Sequence, residues 1–182
     1  MTALQLVHER IEKLLKEGDF CIDATAGRGY DTVFLKRLVG EKGRVIALDI
    51  QEEAVISTKE RLFVEGLTAD VYCDNHANID RYAEEESVDC IVFNLGYLPK
   101  GDHSINTKAE STICAIEKGL KLLKKGGLMC ITMYYGGDSG YEEKEALTSW
   151  LKEVDDRCYQ VMVTYFYNWK KDPPIPVFIF KI

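Results

Sequence analysis

The sequence predicts an α/β fold: a mostly parallel sheet with helices on both faces and an antiparallel hairpin at one edge. Three observations lead there. Short apolar runs of strand length alternate with stretches whose apolar residues recur at helical spacing, and that alternation asks for parallel strands joined by helical crossovers. Two β-rich runs then close the chain with no helix between them, which suits an antiparallel pair. The 182 residues, 46 % hydrophobic and 29 % charged, match one globular domain over 1–182 and leave little room for a second.

Each element has its own signal. Leu4, Val7, Ile11, Leu14 and Leu15 share one face of an opening helix, with Gly18 as its stop. Phe20-Cys-Ile-Asp23 has the length and apolarity of a buried strand. A helix over Asp31–Val39 leads to a strand at Arg44–Asp49, and a helix over 51–64 to a strand at Ala69–Cys73. A short helix or loop at 76–84 precedes the strand Val88–Asn94. Thr107-x-x-Glu110 reads as a capping box for a helix with Ile113, Ile116, Leu120 and Leu123 on one face and Gly126-Gly127 at its end. The strand Leu128–Met133 follows, then a helix over 141–153 whose charged face carries Glu142, Glu143, Lys144 and Glu145. Gln160–Tyr167 and Val177–Ile182 are the closing strands, parted by Asp172-Pro-Pro174. Their hairpin is read either as an exposed edge or as the seam of a homodimer.

Composition excludes several classes. No apolar run approaches the roughly 20 residues of a membrane-spanning helix. Glu9 and Glu12 interrupt the first apolar pattern, so it does not read as a signal peptide and a cytoplasmic protein is expected. Six cysteines without a C-x-x-C pair, most of them inside apolar runs, read as reduced thiols. His8, His76 and His103 lack zinc-ligand spacing, and no metal is expected. The net charge of −7 rules out nucleic-acid binding by bulk charge and leaves room for a local basic face.

The chemistry gathers at strand ends. Cys21-Ile-Asp-Ala-Thr-Ala-Gly-Arg-Gly-Tyr-Asp-Thr32 lies where the first strand turns into a helix. Gly27 and Gly29, flanking Arg28, remove side chains where a ligand approaches the backbone, and the helix start offers free N–H groups. A lone G-x-G also serves ordinary tight turns; its place between strand and helix is what points to a ligand. Asp49 ends the next strand, 20 residues after Gly29, where a carboxylate accepts both ribose hydroxyls; a helix cap is the alternative. Thr32 stands where a dinucleotide fingerprint wants its third glycine, and Asp23 and Asp31 flank the loop. Such carboxylates repel a pyrophosphate and attract an ammonium, which favours S-adenosylmethionine over NAD. Asp74, Asn75 and His76 follow the third strand: Asp74 or Asn75 is a candidate for the adenine edge and His76 for its face, with Asx-turn chemistry as the alternative.

The fourth strand runs into Asn94-Leu-Gly-Tyr-Leu-Pro99. An amine nucleophile has to present its lone pair in line with the sulfonium methyl group. The Asn94 side-chain oxygen and the Leu95 carbonyl are two acceptors that would enforce this, and Tyr97 would stack on a planar base. Asn94 as a plain turn residue is the alternative.

The N-x-x-Y arrangement resembles the [ND]-P-P-[YF] motif of amino-group methyltransferases, with Leu95 and Gly96 in place of the prolines. The combination of Asp23-Ala-Thr-Ala-Gly-x-Gly-x-Asp-Thr32, Asp49-Ile-Gln51, Phe93-Asn-Leu-Gly-Tyr-Leu-Pro99 and Asn168-x-x-x-Asp-Pro-Pro174 is similar to small bacterial methyltransferases labelled rRNA methylases. Their members include enzymes that methylate the amino group of aminomethyl-(thio)uridine at the tRNA wobble position. The resemblance spans nearly the whole chain. It implies a class I, Rossmann-like, seven-stranded sheet with the last strand antiparallel, S-adenosylmethionine as cofactor, and Thr25, Ile50 and Gln51 among the residues around it. Many relatives have Tyr-Pro-Gly-His after the fifth strand, where this chain has Tyr134-Tyr-Gly-Gly-Asp138, so Asp138 is the substitute for that histidine.

An anticodon loop already exposes its bases, so it suits a protein with small basic patches. Lys100 and His103 with Lys108 form one such patch, and Trp169 with Lys170 and Lys171 a second that adds an aromatic ring for stacking. Lys118, Lys121, Lys124 and Lys125 read instead as a solvated helix face. Other readings keep methyl transfer but direct it to rRNA or a small amine, or replace it with a nucleotide- or RNA-binding module or an NAD-dependent reductase.

Overall fold

The computed structural model describes residues 1–96, 108–135, 138–170 and 172–182. Among these, seven strands form one sheet: β1 (Phe20–Asp23), β2 (Arg44–Asp49), β3 (Asp70–Cys73), β4 (Val88–Leu95), β5 (Leu123–Met133), β6 (Tyr159–Val163) and β7 (Ile175–Lys181). Their order is β3-β2-β1-β4-β5-β7-β6. The first five run parallel, and β7 lies antiparallel between β5 and β6. The order reverses between β1 and β4, which opens a crevice at their carboxyl ends.

Helices cover both faces: α1 (Ala3–Glu12), α2 (Tyr30–Val39), α3 (Glu52–Val64), α4 (Ala109–Leu122) and α5 (Asp138–Leu151), with a 3-10 segment at His76–Arg81. The two-residue period of the strands sorts their side chains. Cys21, Val45, Val92 and Cys130 meet Val7 and Ile11 of α1 and Leu35 and Val39 of α2. Ile22, Ile46, Ile91 and Ile131 meet Ile116 and Leu120 of α4 and Leu147 and Leu151 of α5. Each fully buried side chain of this size contributes about 1.5–3 kcal/mol. No helix among the described residues is long and apolar enough to cross a membrane.

Most boundaries agree with the sequence expectation to within one residue; β7 runs Ile175–Lys181 instead of Val177–Ile182, and the larger departures have physical reasons. α1 opens on an unforeseen capping box, Thr2 with Gln5, and ends at Glu12; Gly18 instead donates its N–H to Val39 at 2.8 Å. α4 stops at Leu122 and not at Gly126-Gly127, because Lys121 and Leu122 give their carbonyls to the Glu86 and Ser87 N–H groups. Leu123 therefore opens β5 and pairs with Val88, followed by a register shift. Its helix has Lys108 at the N-cap with no side-chain cap bond, and Thr107 lies outside the described residues. β6 stops at Val163 rather than Tyr167: Thr164 still bonds the Pro176 carbonyl, but Pro174 and Pro173 have no N–H to extend the ladder. Finally, α5 begins at Asp138, and Glu143 is buried against α4, accepting a hydrogen bond from Thr112 Oγ1 at 2.8 Å, instead of joining a charged outer face.

Candidate active site

The crevice begins with the loop from Ala24 to Gly29. It is pinned on both sides, Ala24 donating to the Val92 carbonyl and Ala26 to that of Leu48, each at 2.9 Å. Gly27 has φ 54° and Gly29, the N-cap of α2, has φ 78°. A Cβ on Gly29 would sit 2.9 Å from Thr58 Cα, so α3 crosses too closely for any side chain there. The loop is fastened to α3 by Thr58 Oγ1 donating to the Gly27 carbonyl (3.3 Å) and Arg61 Nε donating to that of Arg28 (2.6 Å). The Arg28 side chain turns to Glu53 at 2.8 Å, which places its charge on the α3 start.

Beneath the loop, Asp23 has no exposed surface. Its Oδ2 accepts from the buried Thr32 hydroxyl at 2.6 Å and its Oδ1 from the Thr25 N–H at 3.3 Å. Burial, reinforced by the charge of Asp31, pushes its carboxyl up to about 7. Asp23 and Thr32 thus support the loop from inside. Thr25 faces the neighbouring strand, its hydroxyl accepting the Asn94 N–H at 2.6 Å.

Asp49 closes β2. Its Oδ2 accepts the Gly27 N–H (2.8 Å) and its Oδ1 the Gln51 N–H (2.9 Å). Burial raises its carboxyl above the usual carboxylate range, against the pull of those backbone donors. The carboxylate takes backbone donors yet has acceptor positions to spare, so it both starts α3 at Gln51 and stays competent for a hydroxyl ligand. Ile50 beside it is 57 % exposed, an apolar surface left open at a strand end.

After β3, both sequence readings meet in the same residues. Asp74 accepts from Asn78 and from the Tyr82 hydroxyl, each at 2.7 Å, and these bonds hold its carboxyl below the usual range. Asn75 caps the 3-10 segment through the Ala77 N–H. These are turn-forming bonds. His76 is different: its Nε2 is buried with no partner among the described residues, and burial drives the imidazole down to about 4.

At the end of β4, the Asn94 Nδ2 donates to Asp31 Oδ2 at 2.6 Å. That bond assigns the amide, with its nitrogen toward Asp31 and its oxygen on the other side. The Leu95 carbonyl accepts the Tyr134 N–H at 3.0 Å and keeps its second lone pair. Asp31 Oδ1 is 2.7 Å from His8 Nε2, a contact that no sequence motif announces. Burial raises the half-exposed Tyr134 phenol, and the Asp31 charge adds to that rise.

Tyr97, Lys100 and His103 lie outside the described residues, and Asp138 is the first residue of α5. Trp169 stacks on Phe166 with centroids 4.7 Å apart. With Tyr135, Tyr165, Lys170 and Pro173 they line a cleft of about 480 Å³. It opens where β5 and β6 end, on the same carboxyl edge as the glycine loop. Lys118 on α4 is paired with Asp80, but Lys124 and Lys125 lie on β5 and not on the helix face that the sequence suggested, because the helix ends at Leu122; Lys124 pairs there with Asp89.

A nucleoside cofactor with an ammonium group fits what is present. Gly27 and Gly29 leave open backbone, Asp49 has acceptor capacity to spare, Asp31 is a carboxylate beside the loop, and His76 has a ring nitrogen without a partner among the described residues.

Residues 45–180 match the family described as "Putative rRNA methylase". The chain is 33 % identical over 193 residues to the chloroplastic tRNA (mnm(5)s(2)U34)-methyltransferase of Arabidopsis thaliana, covering 98 % of this chain and 69 % of that protein. It superposes on a "putative rRNA-methylase" from Clostridium thermocellum with a TM-score of 0.97 at 45 % identity, over 100 % of this chain and 98 % of the other. A "putative methyltransferase" from Streptococcus mutans, solved in complex with SAH, gives a TM-score of 0.90 at 35 % identity, over 100 % and 99 %. With the family match covering well over half of its length and the seven-stranded sheet shared throughout, the chain belongs to this rRNA methylase family and has the class I methyltransferase fold.

Proposed function

We propose that the chain is a cytoplasmic, S-adenosylmethionine-dependent N-methyltransferase acting on the aminomethyl nitrogen of a modified wobble uridine in tRNA. The observation that carries this reading is the Asn94 amide. Its nitrogen is committed to Asp31 and its backbone to Thr25, so its oxygen is the group offered at the strand end beside the glycine loop. An acceptor there selects a nucleophile that carries N–H bonds. The name of the chloroplastic relative specifies such a nucleoside for that protein.

In this reading Gly27, Gly29 and Asp49 hold the nucleoside half of the cofactor, with Ile50, Gln51, Asp74, Asn75 and His76 around the adenine. Asp31 faces the ammonium. When bound, the cofactor supplies a methyl group on positive sulfur, so the N–C bond forms as the C–S bond breaks and its electron pair stays on sulfur. Asn94 Oδ1 and the Leu95 carbonyl accept the amine's N–H groups and aim its lone pair. The Asp31 carboxylate takes the one proton that the amine gives up. In this proposal Tyr97 stacks on the target base, and Lys100, His103 and Asp138 contact the RNA. The Trp169–Phe166 pair seats a flanking base, with Lys170 toward phosphate; such stacking contributes about 1–3 kcal/mol per base.

Asn94→Ala tests the reading. Turnover with labelled cofactor and tRNA should fall by about 100-fold or more, while the Kd for S-adenosylhomocysteine stays within about threefold. Equal turnover in the variant removes Asn94 from the mechanism and takes the amine assignment with it.

A further inference from the structure

His8 belongs to α1, ahead of the whole sheet, yet it reaches the reaction crevice. Its Nε2 lies 2.7 Å from Asp31 Oδ1, with the two side chains 26 % and 11 % exposed. The ring lies flat on Phe34 of α2, centroids 3.8 Å apart and planes 10° from parallel. Val7 and Ile11, packed into the core on either side of it in sequence, fix the helix that carries it. The other oxygen of the same carboxylate holds Asn94 Nδ2 at 2.6 Å. One carboxylate therefore joins the N-terminal helix to the end of β4.

This chain of contacts addresses a definite problem. A primary amide has nearly the same shape with its oxygen and nitrogen exchanged, so Asn94 presents an acceptor only while something holds its nitrogen. Asp31 does that, but a carboxylate held at one oxygen alone still swings about its last torsion. A donor on the second oxygen stops the swing. We infer that His8 is a positioning residue for methyl transfer: it locks Asp31, and Asp31 locks the Asn94 amide with its oxygen toward the amine. The inference rests on the role given to Asn94 above.

Two variants separate positioning from packing. His8→Phe keeps a flat ring against Phe34 and deletes the nitrogen. His8→Gln gives up the ring and restores a side-chain N–H donor. The expected result for His8→Phe is a kcat lower by about 10- to 100-fold, with the KM for tRNA and the Kd for S-adenosylhomocysteine within about threefold of the parent protein. His8→Gln should recover most of the lost kcat despite its poorer packing. A readout independent of turnover is the pair of Asn94 side-chain amide protons in an NMR spectrum of the cofactor-free protein. They should be distinct in the parent protein and in His8→Gln, and should move toward solvent-exposed asparagine values in His8→Phe. An unchanged kcat with an unchanged amide signal in His8→Phe overturns the inference, as does a loss that Gln fails to restore. If the parent protein leaves aminomethyl tRNA unmethylated, the proposed substrate falls, and the amide signal still decides whether His8 controls Asn94.

Discussion

Acidification should destabilise this protein through one ring, and His76→Phe should abolish that component. The imidazole sits edge-on to Phe93 with centroids 6.0 Å apart, and its Nε2 is buried without a partner among the described residues. Burial lowers its pKa from 6.5 to about 4. The unfolded chain therefore takes up a proton near pH 6.5 that the folded chain refuses until near pH 4. Between those values the unfolded state binds more protons, and stability falls as the pH falls. The contribution is intact above pH 6.5; about 2 kcal/mol is lost by pH 5 and about 3 kcal/mol by pH 4, with solvent at the partly open ring making these upper figures. Asp23 acts in the opposite sense, since a carboxyl raised to about 7 binds its proton preferentially in the folded state. Both proteins carry Asp23, so it cancels in the difference between them. Urea unfolding of the parent and His76→Phe at pH 8, 6.5 and 5 measures that difference. It should shift by about 2 kcal/mol in favour of the variant between pH 8 and pH 5. A difference constant to about 0.5 kcal/mol across that range would show that the ring is not desolvated and would refute the reasoning.

Three further outcomes follow from the same geometry. Asp49→Ala removes two acceptors from the ribose position, and calorimetry should show the Kd for S-adenosylhomocysteine rising about 10- to 100-fold; an unchanged Kd places the ribose elsewhere. Gly29→Ala forces a side chain into a positive-φ position against Thr58 Cα, and urea unfolding should show a loss of about 2–4 kcal/mol; neutral behaviour would mean that α3 moves away freely. Trp169→Ala combined with Lys170→Ala should raise the KM for tRNA by about tenfold or more and leave the Kd for S-adenosylhomocysteine alone; an unchanged KM would turn attention to a small amine substrate.

What the sequence made legible has a common character. Asp49 and Asn94 were readable because each ends an apolar strand, and in a parallel sheet all such ends meet along one edge. The glycine loop was readable from its place between strand and helix, although the sequence alone assigned Gly29 to the ligand, and the structure adds the close crossing of Thr58. Asp74 and Asn75 show why two readings coexisted: turn formation and an exposed polar edge use the same atoms. His8 was illegible for a different reason. It sits 23 residues before Asp31 on a helix whose docking depends on tertiary packing, and a lone histidine on an amphipathic helix carries no local signal. Glu143 was misplaced likewise, because helical periodicity does not say that Thr112 waits across the α4–α5 contact. The early end of β6 depends on register against Pro176 and the two prolines before it, which exists only once the hairpin has paired.

Methyl transfer to an aminomethyl nitrogen in tRNA can be read directly from the modified nucleoside. Purified protein would be incubated with isotope-labelled S-adenosylmethionine and bulk tRNA from cells lacking this enzyme, and the tRNA then digested to nucleosides for mass spectrometry. One labelled methyl group is expected on the exocyclic nitrogen of aminomethyl-uridine, with loss of the unmethylated nucleoside in equal amount. Normal binding of S-adenosylhomocysteine together with no label on that nucleoside would contradict it.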